Sequence, residues 1–323
     1  MNYRIFPRLD RLVSDVGVGT WGMGGWSGSD DADSAAALDR AAGLGCNFFD
    51  TAWAYGDGHS ERLLAGLVQR HRDRRFLLAT KVPPMNREWP GRASSPADAV
   101  FPAEHVISYT LRSLSNLGAD AIDLQQLHVW DDSWAEADGW KHAVEHLKTR
   151  GYIRAFGISV NRWQPENVQR ALATGLIDAV QVVYNVFDQS PADVLIPECQ
   201  RRNIAVIARV PFDEGSLTGT LTAESRWPDG DWRNLYFTPE RLAETLPRVE
   251  RLRALAAAWS MTLPDLALRF ILSTPGVTTV IPGMRKARHV DANLAVSAAG
   301  PLSDAQFAEL RAHRWDRAPD DCP

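Results

Sequence analysis

The sequence predicts an α/β protein built as a single (β/α)8 barrel, the TIM-barrel fold, and three observations support this prediction. Eight short apolar runs have the length of strands, and longer helical patterns alternate with them. No shift in composition marks a linker between them. Alternating strands and helices favour a parallel sheet with right-handed crossovers, and eight such units in 323 residues fit a closed barrel better than an open sheet. We therefore expect one domain over residues 1–323.

The predicted elements follow one another regularly as far as the seventh strand. Short apolar runs place strands at residues 15–19, 47–50, 76–81, 122–128, 154–159, 179–184, 204–210 and 277–281. Apolar residues at helical spacing place helices at residues 34–44, 61–70, 103–117, 137–149, 165–174 and 192–202.

After the seventh strand, the sequence predicts a long loop and an additional helix that a minimal barrel does not need. Residues 211–238 form a long loop that contains Gly, Pro and Trp without clear periodicity, and loops of this length are usually lids or binding loops. The helical patterns 239–260 and 263–272 both precede the eighth strand, so one of them is an extra helix. A last helix is predicted over residues 303–313, with Ser303 as its N-terminal cap.

Composition and charge narrow the class of protein. The chain is 45% hydrophobic and 23% charged, which is enough to build a large core. Its formal net charge of −5 argues against nucleic acid as a partner. No stretch approaches the roughly 18 apolar residues that a membrane helix needs. Cys46, Cys199 and Cys322 are too widely spaced for a disulfide framework or a zinc site. We expect a soluble, cytoplasmic protein.

Two patterns match known motifs, but their contexts argue against both. Residues 17–22 fit the G-x-G-x-x-G fingerprint of dinucleotide-binding folds, yet no helix begins at the third glycine to receive a pyrophosphate. His142, Glu145 and His146 fit a zinc-binding H-x-x-E-H pattern on one helix. The apolar face of that helix lies elsewhere, so we expect both histidines to face solvent. The sequence therefore predicts no Rossmann site and no metal site.

Ionisable side chains stand at the ends of three successive predicted strands. Asp50 ends the second strand, Lys81 the third and His128 the fourth, while Tyr55 lies five positions after Asp50. In a barrel these ends share the carboxyl face, and neighbouring strands are about 4.8 Å apart. We therefore expect an acid, a phenol, an ammonium and an imidazole around one opening.

The sequence resembles the aldo-keto reductase superfamily, and in its opening segments the bacterial branch of that family. The resemblance is carried by FFDTAWAYG at 48–56, ATKV at 79–82, LQQLH at 124–128, GIS at 157–159, VQVVYN at 180–185, GSLTG at 215–219 and the segment from VIPG at 280–283 to Asn293. It spans nearly the whole chain. It implies NADP(H)-dependent reduction of an aldehyde or ketone on a barrel that holds the cofactor extended.

The resemblance also implies roles for the four strand-end residues. Tyr55 would donate a proton to the carbonyl oxygen as that oxygen becomes an alkoxide. Lys81 would ease the loss of that proton by stabilising the phenolate, and Asp50 would hold the lysine. His128, if neutral, would orient the carbonyl oxygen with an N–H.

Cofactor contacts follow from the same resemblance. Ser159, Asn161 and Gln181 would contact the carboxamide, and the ring of Tyr184 would lie under the nicotinamide. Arg285, in the basic loop after the eighth strand, would bind the 2′-phosphate, which favours NADPH over NADH. The full set of expected contacts is Gly19, Thr20, Trp21, Asp50, Ser159, Asn161, Gln181, Tyr184, Arg209, Pro211, Phe212, Gly215, Leu217, Gly283, Arg285, His289 and Asn293.

Arg209 departs from the family pattern, which has a small polar residue at the end of the seventh strand in many members. Two interpretations stay open. It forms an ion pair with Asp213 or Glu214 that fastens the long loop. Alternatively, it binds the cofactor's pyrophosphate beneath a lid formed by residues 211–238.

The tryptophans that follow the strands indicate what kind of substrate the site would take. Six tryptophans follow the first four strands: Trp21, Trp26, Trp53, Trp89, Trp130 and Trp134. If three of them line the pocket, its walls are apolar and flat, which suits a planar or ring-shaped carbonyl compound or a sugar. The expected substrate contacts are Trp21, Trp53, Tyr55, Trp89, His128 and Trp130.

Two other functions compete with carbonyl reduction. Potassium-channel β-subunits share the family resemblance, so a nicotinamide-binding regulatory subunit is the main alternative. A metal-dependent barrel hydrolase is the second alternative. The sequence does not specify an oligomeric state.

Overall fold

Eight parallel strands form the centre of the fold in a computed structural model that describes residues 1–26 and 28–316. A hairpin of β1 (Tyr3–Phe6) and β2 (Arg11–Ser14) precedes them. The eight strands are β3 (Val18–Gly19), β4 (Phe48–Asp50), β5 (Leu77–Val82), β6 (Ile122–Leu127), β7 (Ile153–Ser159), β8 (Ala179–Val183), β9 (Ala205–Arg209) and β10 (Thr279–Val280). Each strand pairs with the next one along the chain. Parallel bridges from Val16 to Val280 and from Gly19 to Gly283 join the first strand to the last. The predicted (β/α)8 barrel is confirmed.

Helices cover the outside of the sheet. They are α1 (Asp31–Gly43), α2 (His59–Arg70), α3 (Ala97–Val100), α4 (Ala103–Leu117), α5 (Asp138–Thr149), α6 (Gln169–Ala173), α7 (Leu195–Arg201), α8 (Arg233–Tyr236), α9 (Pro239–Ala258), α10 (Leu263–Leu272), α11 (Ala287–Ala299) and α12 (Asp304–Arg311). Helix α9 is additional to the strand–helix units, as expected. Ser303 caps α12 by accepting from the backbone N–H of Gln306.

Several element boundaries differ from the prediction. The first and last barrel strands are two residues each, although longer apolar runs flank them. The loop 211–238 contains a 3-10 helix over Asp213–Thr218 and the short helix α8. The β1–β2 hairpin was not predicted, because charged residues interrupt its apolar positions. Phe6 and Val13 from this hairpin pack against Phe48 and Leu77 in the barrel interior, so the hairpin closes that end of the barrel.

The alternation of side chains along each strand decides which of them reach the barrel interior. On β8, Ala179 belongs to the interior cluster, whereas Val180 and Val182 pack between the sheet and the helices. The same alternation on β9 places Ala205 and Ile207 inside. Because strand side chains alternate with a period of two, the inward positions at the carboxyl ends of the strands form one layer.

Other sequence expectations can be compared with the described part of the chain. No single helix there is long and apolar enough to cross a membrane; α9 and α10 together reach that length and composition, with a bend of 86° between them. Cys46 and Cys199 are buried free thiols, and Cys322 lies outside the described residues. His142 and His146 are exposed on α5, as predicted. Within residues 1–26 and 28–316 no group of His, Cys, Asp or Glu is arranged to hold a metal ion. The single domain over 1–323 stays a prediction.

Candidate active site

The four predicted strand-end residues meet at the carboxyl end of the barrel. Lys81 is fully buried, and its Nζ lies 2.5 Å from Asp50 Oδ1. The same Nζ donates to the Thr51 carbonyl oxygen at 2.8 Å and to Tyr55 Oη at 3.5 Å. The ring centroid of His128 is 5.5 Å from that of Tyr55, edge to face. The phenol therefore stands between a buried ammonium and an imidazole.

Two glutamines complete the surroundings of the Asp50 carboxylate. Gln181 Nε2 donates to Asp50 Oδ2 at 2.9 Å, and Gln126 Nε2 donates to the same oxygen at 3.3 Å. Gln181 was expected to contact a carboxamide, and here one of its amide hydrogens is engaged with Asp50. Gln126 was not predicted, although it lies two residues before His128 and so shares its inward face. These contacts fix the carboxylate that holds Lys81.

Burial governs the electrostatics of the two residues that would meet a carbonyl oxygen. It raises the pKa of Tyr55 above its usual value, and the nearby Lys81 opposes this rise without cancelling it. Burial, then Lys81, then Arg209 hold the pKa of His128 well below its usual value. The expected neutral imidazole at pH 7 follows from these causes. Lys81 acts to lower the pKa of Tyr55, in the direction that its expected role requires, while desolvation raises that pKa by more.

A cavity of about 630 Å³ opens above these residues. Tyr55, His128, Asp50, Gln181 and Arg209 line its floor and walls. Four tryptophans line it: Trp21, Trp26, Trp89 and Trp232. The Trp21 ring centroid is 4.3 Å from that of Trp26 and 6.1 Å from that of Trp232, and Trp89 lies 4.5 Å from His128. Trp232 was missed because the loop that carries it has no periodicity that indicates its position.

Most of the expected cofactor residues line this cavity. They are Gly19, Thr20, Trp21, Asp50, Gln181, Arg209, Pro211, Phe212, Gly215, Gly283, Arg285 and His289. Five others do not line it: Ser159, Asn161, Tyr184, Leu217 and Asn293. Asn161 instead accepts a hydrogen bond from the backbone N–H of Trp163 at 3.1 Å, and Leu217 is fully buried.

The position of Tyr184 contradicts its expected contact with a nicotinamide ring. Its ring stacks on Phe270 of α10 at a centroid distance of 5.7 Å, and its hydroxyl lies 2.9 Å from that of Thr274. Tyr184 is three positions after the inward-facing Gln181, so the alternation of the strand turns it toward the helices.

Two of the expected substrate contacts are also corrected. Trp53 packs edge to face on Tyr109 of α4 at 4.7 Å. Trp130 is 1% exposed and packs against Trp134 and Trp140 at 6.0 and 5.4 Å. Both tryptophans contribute to packing under the loops rather than to the cavity. Trp21 and Trp89 line it as predicted.

The loop after β9 is fastened by a different arginine from the one considered in the sequence. Arg162 Nη2 lies 2.7 Å from both Asp188 Oδ2 and Asp213 Oδ1. Its Nη1 lies 3.7 Å from Glu214 Oε1. Within the described residues, Arg209 forms no ion pair with either loop carboxylate. Burial lowers the pKa of Arg209, and the Glu214 carboxylate is the first of the charges that oppose this change. Both interpretations of Arg209 therefore stay predictions.

A parallel barrel with ionisable side chains gathered at the carboxyl ends of its strands is the arrangement of a (β/α)8-barrel enzyme. A family model described as "Aldo/keto reductase family" matches residues 15–314, and the chain belongs to this family. Curated members of this family that resemble the chain are named as reductases, and the protein is an oxidoreductase.

Individual relatives cover nearly the whole chain. "Aldo-keto reductase YhdN" of Bacillus subtilis is 30% identical over 90% of this chain and 87% of its own length. "NADH-specific methylglyoxal reductase" of Escherichia coli is 27% identical over 94% of this chain and 95% of its own length. "Aldo-keto reductase yakc [NADP(+)]" of Schizosaccharomyces pombe is 27% identical over 93% of this chain and 88% of its own length. The holo form of aldo-keto reductase AKR11C1 from Bacillus halodurans superposes with a TM-score of 0.77 at 25% identity, covering 98% of both chains.

Proposed function

We propose that this protein reduces an aldehyde or ketone to an alcohol with NADPH, and that Tyr55 is the proton donor. One observation supports this most strongly: Tyr55 lines the cavity, and the Nζ of the buried Lys81 lies 3.5 Å from the Tyr55 hydroxyl oxygen. Membership of the aldo/keto reductase family supports carbonyl reduction in general. The assignment of Tyr55 rests on the geometry of this site.

The residues of the cavity fit a nicotinamide cofactor. The cavity, of about 630 Å³ and open to solvent, can take the nicotinamide end of the cofactor. Arg285 and His289 also line it and can serve as partners for phosphate groups. When bound, NADPH supplies a hydride to the carbonyl carbon. The phosphates of NADPH are held, in this proposal, by Gly283, Arg285 and His289, which lie on the loop and first helical turn after β10, together with Gly215.

Tyr55 and its neighbours are proposed to handle the proton. The Tyr55 hydroxyl donates to the carbonyl oxygen, and the Lys81 ammonium stabilises the phenolate that remains. Asp50 keeps Lys81 in place and compensates its buried charge. Neutral His128 offers an N–H to the same oxygen as negative charge develops on it.

Arg285 is the proposed basis for NADPH over NADH. A guanidinium suits the geometry of the 2′-phosphate, which NADH lacks. The names of two relatives show that both choices occur in the family, one being NADH-specific and one NADP(+)-dependent.

Turnover with a panel of aldehydes and ketones tests the proposal. We expect oxidation of NADPH, followed by its absorbance, only when a carbonyl compound is present. Formation of the alcohol should match the NADPH consumed. A protein that binds NADPH tightly and reduces no member of the panel would favour the regulatory subunit instead.

A further inference from the structure

A strained turn begins where β9 ends. Three of its residues that are not glycine have left-handed backbone angles: φ is 55° at Val210, 45° at Asp213 and 55° at Glu214. Residues other than glycine adopt such angles rarely, and a β-branched residue such as valine does so least readily. The same turn forms part of the cavity wall, through residues 210–212, 214 and 215. Strain of this kind persists only where the surrounding structure holds it, and it is concentrated at ligand sites.

The side chain of Arg162 holds one end of this turn. Only 9% of that side chain is exposed, and its Nη2 lies 2.7 Å from both Asp213 Oδ1 and Asp188 Oδ2. Its Nε also donates to Asp188 Oδ1 at 3.2 Å. Asp213 is fully buried and accepts further hydrogen bonds from the hydroxyls of Tyr236 at 3.0 Å and Ser216 at 2.7 Å. Arg162 therefore helps to fix the carboxylate of one of the three strained residues.

A second series of contacts leads from Arg162 to Val210. Asp188 Oδ2, which pairs with Arg162, also accepts from Asn185 Nδ2 at 2.9 Å. The same Nδ2 donates to the Val210 carbonyl oxygen at 3.1 Å, and the backbone N–H of Asp213 donates to that oxygen at 3.2 Å. Because these polar groups are buried and paired, releasing the turn would leave several of them without partners. Arg162 is thus connected to both ends of the strained segment.

We infer that Arg162 is a positioning residue for the cofactor, because it holds residues 210–215 in the left-handed conformation that forms the cavity wall. The inference rests on the proposed binding of NADPH in this cavity. Without the fork of Arg162, Val210 relaxes toward an ordinary negative φ, and only a fraction of the molecules keep the wall. The apparent Kd for the cofactor rises in inverse proportion to that fraction, so a wall formed in a tenth of the molecules weakens binding about tenfold.

Arg162→Lys tests the positioning role, because it keeps the charge and removes the planar fork that reaches two carboxylates at once. We expect it to raise the Kd for NADPH, measured by fluorescence titration, by about fivefold to thirtyfold. This is the factor by which the strain of one left-handed residue favours the relaxed turn once nothing holds it. Arg70→Lys is the matched control, because Arg70 pairs with Asp39 at 3.0 Å on the outer helices, and it should leave the Kd unchanged.

Combination with Val210→Gly separates positioning from a direct contact or a general loss of stability. Glycine adopts a φ of 55° without strain, so the turn no longer needs to be held against relaxation. Arg162→Lys should therefore raise the Kd much less when it is combined with Val210→Gly than when it is made alone. Val210→Ala also shortens the side chain but keeps the Cβ, so it should give less rescue. Equal effects of Arg162→Lys in all three backgrounds would overturn the inference.

Hydrogen exchange gives a second measurement that needs no cofactor. The backbone amides of residues 212–219 should exchange faster in Arg162→Lys than in the wild type, and more slowly again in the double variant with Val210→Gly. Tyr236→Phe, which removes only one donor to Asp213, is a milder variant that should change the Kd and the exchange in the same directions if Arg162→Lys does not fold. A wild type that binds NADPH with a Kd that neither variant alters would overturn this inference alone. A wild type that does not bind NADPH would overturn the proposed function together with it.

Discussion

Replacing Lys81 with Met removes one charge from a buried pair and leaves the other behind. Lys81 is fully buried and Asp50 is 2% exposed, and their charged atoms are 2.5 Å apart. Removing one partner of such a pair typically costs 3–5 kcal/mol, because the remaining charge is buried without compensation. We expect Lys81→Met to lower the free energy of unfolding by about 3 kcal/mol. The lower end is appropriate because Gln126 and Gln181 still donate to the carboxylate.

The double variant Asp50→Asn/Lys81→Met separates stability from chemistry. It removes both charges, so it should recover most of the lost free energy of unfolding while turnover stays low, since Tyr55 still lacks its ammonium. Guanidinium denaturation followed by tryptophan fluorescence measures the first quantity, and NADPH-coupled turnover measures the second. If Lys81→Met unfolds at the wild-type denaturant concentration, the buried pair is not the stabilising feature that its geometry indicates.

Three further predictions concern single residues. Tyr55→Phe should lower turnover by about two orders of magnitude or more while keeping NADPH affinity, as measured by fluorescence titration; near-normal turnover would move the acid role to His128 or water. Arg285→Ala should raise the Kd for NADPH at least about tenfold more than that for NADH, and equal weakening of both would exclude selection by the 2′-phosphate. Because the pKa of folded His128 lies well below 6.5, the unfolded chain is protonated first as the pH falls. This residue should therefore reduce the free energy of unfolding by about 1.4 kcal/mol per pH unit below about pH 6.5. Denaturation curves of His128→Asn should lack that contribution, and an unaltered slope would mean that His128 protonates freely in the fold.

The residues that the sequence predicts to lie together, and that the structure brings together, follow from strand ends. Asp50, Lys81 and His128 each end an apolar run, so their barrel positions and inward faces follow from strand order and period. The same alternation places Tyr184 on the face opposite to Gln181, because the two residues are separated by an odd number of positions. A family resemblance indicates the residue type at this position, whereas the face of the sheet on which Tyr184 lies depends on the alternation along the strand.

Contacts between distant segments explain most of what the sequence does not predict. Arg162 is 51 residues from Asp213, and nothing local indicates that it, rather than Arg209, pairs with the loop. The sequence also does not indicate in which direction a loop tryptophan points. Trp53 and Trp130 follow strands just as Trp21 and Trp89 do, yet they pack on helices and neighbouring indoles. The β1–β2 hairpin was missed because its charged side chains interrupt the apolar pattern that marks a strand.

Transfer of a labelled hydride tests the proposed function most directly. The protein would be incubated with a reactive aldehyde or ketone and NADPH that carries deuterium at the transferable position of the nicotinamide. We expect mass spectrometry to find one deuterium on the carbinol carbon of the alcohol with wild-type protein, and almost none in the same time with Tyr55→Phe. Alcohol without the label, or cofactor binding without any alcohol, would contradict carbonyl reduction at Tyr55.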